Sequence, residues 1–285
     1  MMSGFGQSSL PLGSLAGIPI RLHITFPILF ALGLLAEGLR FSSWTAVGFA
    51  AILYGPLLLV TVLIHELGHS LAARRLGGHA EGILLWPLGG LAYLAHSSGP
   101  KADLLISLAG PLTHLPQFAV WLGILFPVYH AAYGSWAISL GIPPPSEHFG
   151  LAVVAGACQL NIGLAAFNLL LPAYPLDGGR IFADCLLLAG VGVEKAAKAT
   201  VAVATVGALA VIGLGFWLES YLSVAVGIWM LFSTLQLWQV LRAGGIAQHP
   251  LFAHSAASSA GPGGGAAAGV GQARSYQRYD GDSAI

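Results

Sequence analysis

The chain has 285 residues, 56% hydrophobic and only 8% charged, with a mean hydropathy of +0.80 and a formal net charge of zero at pH 7. A soluble globular domain carries about a quarter charged residues, so the composition excludes an ordinary soluble enzyme and indicates a polytopic membrane protein. The charge balance gives no reason to expect nucleic acid as a partner, and the two cysteines, Cys158 and Cys185, lie in apolar surroundings and form no metal or redox motif.

Residues 1–16 are rich in Gly, Ser and Leu and read as a flexible leader, without the short basic segment of a cleavable signal. Residues 17–23 end in Arg21 and His23, which suit a headgroup region. The next stretch, 24–36, is apolar but short, and crosses a bilayer only if its flanks contribute at the interfaces. Residues 44–76 form a second span that is free of formal charge up to Ile64 and closes on Arg74, Arg75 and Gly77-Gly78. Near its end stands His65-Glu66-Leu67-Gly68-His69. On a helix the two histidines lie one turn apart on one face and can share a metal ion, while Glu66 is displaced around the helix and can address a water. The competing reading is a chance H-E-x-x-H on a soluble helix. Polar groups at membrane depth are costly and mark function, which favours the metal site.

Residues 79–94 are too interrupted by Gly and Pro for a helix and fit two short strands around Pro87 to Gly90, a hairpin beside the membrane. Its free edge could pair with an extended peptide; a plain surface loop is the alternative. Residues 104–129 read as one long third span, kinked by Gly110-Pro111, Pro116 and Pro127, with His114 at depth as a functional polar group or a satisfied core histidine. A fourth span, 149–171, runs into Pro172-Ala173-Tyr174-Pro175-Leu176-Asp177-Gly178-Gly179-Arg180, which puts Asp177 on broken backbone. Residues 199–218 and 221–241 are charge-free fifth and sixth spans. From residue 243 the composition turns to Gly, Ala and Ser, the pattern of a disordered tail (243–285) behind a six-span core (17–242).

The basic residues test this topology. With the amino terminus in the cytosol, Arg21, Arg74, Arg75, Lys101, Arg180, Lys195, Lys198 and Arg242 all fall on the cytosolic side and Arg40 alone lies opposite, as the positive-inside rule requires. The same alternation brings His65, His69 and Asp177 to one cytosolic depth although more than a hundred residues separate the histidines from the aspartate. Two histidines and a carboxylate make a three-ligand zinc site of the catalytic kind. Glu66 is then the base that takes a proton from water and passes it to a leaving amine. Asn168, on the fourth span, is the candidate donor to an oxyanion, or else an amide bonded between helices.

His65 to His69, followed by Trp86-Pro87-Leu88-Gly89-Gly90, Ala109-Gly110-Pro111 and Pro172 through Arg180, resembles the site-2 protease family of intramembrane zinc metalloproteases over about residues 17–180. The resemblance implies an all-α polytopic membrane protein of about six transmembrane helices, with a short membrane-associated β-hairpin between the second and third. It implies one zinc ion on His65, His69 and Asp177, with Glu66 as base. It further implies hydrolysis of a peptide bond within or next to a transmembrane segment of membrane-protein substrates, with Gly89 and Gly90 approaching the substrate. Family members often carry their asparagine eight residues before the aspartate, whereas Asn168 is nine before Asp177. No PDZ or CBS pattern is recognisable. The alternatives are a catalytically silent relative that binds membrane helices, for which Glu66 or a ligand should have been lost, and a transporter, for which an inverted repeat is missing.

Overall fold

The computed structural model describes residues 8–41, 43–95 and 98–253. In chain order these form β1 (Ser9–Leu15), β2 (Ile18–His23), α1 (Thr25–Phe41), α2 (Trp44–Ile52), α3 (Leu58–Arg75), β3 (His79–Trp86), β4 (Gly89–Ala95), α4 (Pro100–Leu112), α5 (His114–Tyr133), α6 (Phe149–Leu170), α7 (Asp177–Leu188), α8 (Val193–Trp217) and α9 (Tyr221–Arg242).

Among the described residues, five apolar helical segments are long enough to cross a membrane: Trp44–Arg75, Pro100–Tyr133, Phe149–Leu170, Val193–Trp217 and Tyr221–Arg242. The segment Thr25–Leu39 is shorter; at 1.5 Å per residue it reaches only about 23 Å, less than a hydrocarbon core of about 30 Å. This is the stretch whose sequence needs help from its flanks. Leucines, valines and aromatics such as Leu35, Val206, Phe216 and Phe232 point outward, the surface expected where lipid takes the place of water. The protein is an integral membrane protein of mostly helical fold.

Neither of the first two long segments is a plain helix. Between α2 and α3, Leu53–Leu57 forms a π turn in which Gly55 leaves helical geometry (φ −91°, ψ −106°) and Pro56 has no N–H to donate. Both are recognised causes of a kink. Between α4 and α5 the break falls at Thr113, whose hydroxyl donates to the Gly110 carbonyl at 2.7 Å. Pro100 starts α4 and a left-handed Gly134 ends α5, the positions each residue suits best.

The sheet is larger than the expected hairpin. Its order is β1-β2-β3-β4, with β1/β2 and β3/β4 antiparallel and β2/β3 parallel. Residues 9–15, which by composition resemble leader, thus form an outer strand; residues 1–7 lie outside the described region. The two-residue turn Ala16-Gly17 has positive φ at both positions (50° and 70°), which closes a tight hairpin whose twist matches the strands. Composition conceals this because the strand is held by Ile18 and Ile20 one hairpin away. Those two side chains pack against Ile83, Leu85 and, on α3, Val62, and Ile20 pairs with Ile83 about sixty residues later in the chain. The sheet is therefore anchored on the helix that carries the histidines.

The first residues of the expected tail are instead folded. Residues 246–248 form a short 3-10 turn, and Ile246, Leu251 and Phe252 are buried against Ala183 of α7, Ala196 and Ala197 of α8 and Leu237 of α9. Three large apolar side chains are enough to dock this segment even though the surrounding composition is Gly- and Ala-rich. Residues 254–285, the remainder of that expectation, lie outside the described residues.

Candidate metal centre

His65 and His69 lie one turn apart on α3 with their Nε2 atoms 3.1 Å from each other. The Asp177 carboxylate meets both, Oδ2 at 3.0 Å from His65 Nε2 and Oδ1 at 3.3 Å from His69 Nε2. All three residues are buried. Among the described residues, His65, His69 and Asp177 form a cluster able to hold a metal ion.

The donor set fits zinc. The far nitrogen of the His69 ring, Nδ1, lies 2.7 Å from the Ile106 carbonyl and must donate to it, so the neutral ring presents its lone pair at Nε2. Lone pairs and carboxylate oxygens converging at 3.0–3.3 Å repel one another unless a cation stands among them. The separations are close to the edge of about 3.3 Å expected of a tetrahedron with bonds of about 2.0–2.1 Å.

A single helix, α4, holds both halves of the cluster. Its Ile106 carbonyl anchors His69, and its Gly110 lies so near that a Cβ there would overlap the His69 ring. On the other side, Arg180 of α7 makes an ion pair with the buried Asp103 in the first turn of α4. Asp177 is the first residue of α7, where the helix dipole favours a carboxylate. Gly178 and Gly179 follow because the backbone of Leu171 and Ala173-Tyr174 occupies the space that a Cβ would need. The D-G-G-R run is thus a way of seating a helix start tightly under its own preceding loop.

Glu66 is 7% exposed and accepts the backbone N–H of Ala92 in β4. Gly90 of the same strand has no room for a Cβ, which would collide with the Glu66 carboxylate. The strand edge facing Glu66 is the outer edge of β4, beside which no further strand lies among the described residues. The cluster opens into a cavity of about 390 Å³. Its walls include Gly89 and Gly90 at the hairpin tip, Asn168 of α6, and Trp229 of α9. Trp229 packs edge-on against Trp86 at the end of β3, with ring centroids 5.3 Å apart. Asn168 faces the cavity, but its amide nitrogen donates to the Leu164 carbonyl one turn earlier at 3.0 Å.

One partner of the cluster is announced by no motif. His65 Nδ1 lies 3.1 Å from His114 Nε2 on α5, and His114 Nδ1 lies 3.0 Å from Asn161 Oδ1 on α6. The available signal is a histidine at membrane depth just after Gly110-Pro111; nothing in sequence indicates which residue it meets. Asn161 carries no signal of its own.

Comparison with known proteins agrees with this architecture. The model of peptidase family M50 matches residues 54–142. Rip3 of Mycobacterium tuberculosis is 31% identical over 243 residues, covering 79% of this chain and 56% of that protein. A zinc metalloprotease of Methanocaldococcus jannaschii is 36% identical over 179 residues, covering 61% of this chain and 44% of that one. The solved structure of the site-2 protease from Methanocaldococcus jannaschii superposes with a TM-score of 0.54 at 29% identity, over 80% of this chain and 94% of that one. The fold of this chain, a helical membrane bundle with a small sheet against its histidine helix, is thus like that of a solved site-2 protease. The chain belongs to the site-2 protease family, and spans about half the length of the curated relatives it matches.

Proposed function

We propose that the protein is a zinc-dependent endopeptidase that hydrolyses a peptide bond within or next to a transmembrane segment of membrane-protein substrates. The observation that carries this reading is the convergence of His65, His69 and Asp177 on one point, with Glu66 on the next helical position facing a strand edge. His65, His69 and Asp177 are the zinc ligands. Zinc held there supplies a Lewis acid that brings the pKa of water down to about 7 and polarises a carbonyl.

The remaining chemistry belongs to the side chains. Glu66 accepts the proton of the attacking water and delivers it to the nitrogen of the leaving peptide. Its bond to Ala92 N–H holds the carboxylate at the outer edge of β4. An extended substrate segment adds to that edge by backbone hydrogen bonds, and Gly89 and Gly90 let its backbone come close to Glu66. Such pairing requires the substrate helix to unwind locally, because helical N–H and C=O groups are already engaged. Asn168 donates to the oxyanion once its amide turns away from Leu164, a role supported by its position on the cavity wall.

Wild-type protein in detergent is expected to hold one zinc and to cleave a single-span reporter. Asp177→Asn is expected to lose most of the zinc and all measurable cleavage, since a neutral amide is a poor ligand for this ion. Cleavage that persists in metal-depleted protein would remove the zinc-dependent reading. A wild-type chain that retains zinc and binds the reporter without cutting it would leave a helix-binding relative instead.

The site faces the cytosolic leaflet in this proposal. Support comes from Arg74 and Arg75 in the last turn of α3, Lys101 at the start of α4 and Arg242 at the end of α9, the pattern of a cytosolic face. Cys185, exposed on the helix that Asp177 begins, reports the side, because Cys158 is buried. A membrane-impermeant maleimide is expected to label Cys185 in inside-out vesicles and not in right-side-out ones. The reverse pattern would place the site on the opposite face.

A further inference from the structure

Two buried polar residues take no part in the chemistry above. His114 and Asn161 are 2% and 0% exposed and come from different helices. The Asn161 amide nitrogen donates to the Ala157 carbonyl at 3.0 Å, which turns Oδ1 toward His114 Nδ1. A carboxamide oxygen only accepts, so His114 carries its hydrogen on Nδ1 and, in a neutral ring, keeps a lone pair on Nε2. That lone pair faces His65 Nδ1 at 3.1 Å, which must therefore be the donor. The lone pair of His65 is left on Nε2, the atom that faces Asp177 and His69. With both rings neutral, each link allows one direction of donation, so the chain has a single assignment from α6 through α5 to α3.

We infer that His114 and Asn161 are positioning residues that hold His65 in its Nδ1–H tautomer, with the ring plane set so that Nε2 is presented to the metal. The inference rests on the zinc assignment proposed above. A neutral imidazole left to itself exchanges its proton between the two nitrogens, and one tautomer puts hydrogen on the ligating atom. For His69 the selecting acceptor is the Ile106 backbone carbonyl. Among the described residues His65 has no such carbonyl partner, and the acceptor is another side chain. That side chain would rotate and exchange its own proton without Asn161, whose amide is in turn fixed by Ala157. The selection therefore passes from a backbone carbonyl of α6 to the ligand on α3.

The test uses full-length protein and two readouts that do not require cleavage: zinc affinity by chelator competition, and the visible spectrum of the cobalt-substituted chain. His114→Leu is expected to weaken zinc binding by about 10–100-fold and to shift the cobalt spectrum. In His114→Gln, the amide oxygen accepts from His65 and the amide nitrogen donates to Asn161; this variant is expected to recover most of the affinity and the wild-type spectrum. Folded His114→Leu with wild-type affinity and spectrum overturns the inference, as does a Gln variant no better than Leu. Should His114→Leu fail to fold, Asn161→Leu is read in its place. It is expected to show a smaller fall in affinity and a spectral shift in the same direction, and unchanged values overturn the inference. A wild-type chain that holds no zinc removes the zinc assignment and this inference together. A zinc-loaded wild type beside an indifferent His114→Leu removes the inference alone.

Discussion

Glu66→Gln is expected to lower cleavage of a single-span reporter by at least the hundred- to ten-thousand-fold, roughly, that a positioned general base contributes, with zinc content unchanged. Gln has the same shape and keeps an oxygen to accept the Ala92 N–H, so the helix and strand remain in place. It has no basic lone pair with which to take a proton from water. The prediction separates Glu66 from the three residues that make up the metal cluster, because only their loss should release the ion. Near-normal cleavage by Glu66→Gln, with zinc bound, would assign the base elsewhere and leave the position of Glu66 at the β4 edge without a catalytic meaning. Comparing membrane-protein fragments in cells carrying either chain would at the same time reveal the natural substrates.

Gly110→Ala is the second change with a large expected effect, although Gly110 is neither a ligand nor a base. A single added methyl would overlap the His69 ring, and the adjacent Ile106 carbonyl prevents that ring from turning away without losing its Nδ1 bond. Either the ring moves or α3 and α4 separate. Overpacking of this kind costs about 1–3 kcal/mol, and a misplacement of about 1 Å in an active site can cost about a hundredfold in rate. The expected outcome is a folded protein with zinc affinity reduced by at least about tenfold, comparable to the loss of a partner that orients a ligand, and little cleavage. Zinc titration and the reporter assay check it. Full zinc binding and full activity in Gly110→Ala would mean that α3 and α4 are not packed as closely as described.

Much of the membrane architecture is legible in the residues because bilayers impose local rules. A long uncharged segment is visible in any window that contains it, and the histidine spacing is fixed by one turn of helix. Asp177 is reachable by a longer route, through proline-broken backbone and the side of the membrane on which the basic residues fall. The first span is legible as the weak one for the same reason: a count of its apolar residues, at a fixed rise per residue, already leaves it short of the hydrocarbon core. Other features are not local. The strand Ser9–Leu15 resembles leader because its partner and the packing behind it lie outside any short window. Residues 246–252 resemble the start of a tail because three buried side chains do not alter an average dominated by Gly and Ala. The break at Gly55-Pro56 is written in the residues themselves, but the strongly apolar run around it masks it.

By itself the sequence determined the class of solvent, the number of crossings to within the short first one, and the residue types able to bind a metal and move a proton. Hydropathy, charge and helical spacing are properties of neighbours in the chain, so they survive without coordinates. Tertiary structure alone decided that α4 is the shared support of both halves of the His65, His69 and Asp177 cluster, that the free edge of β4 faces Glu66, and that His114 with Asn161 stands behind His65. These are contacts between side chains and backbone on separate elements, and their distances follow from how closely particular helices and strands pack, a quantity that no contiguous stretch of residues contains.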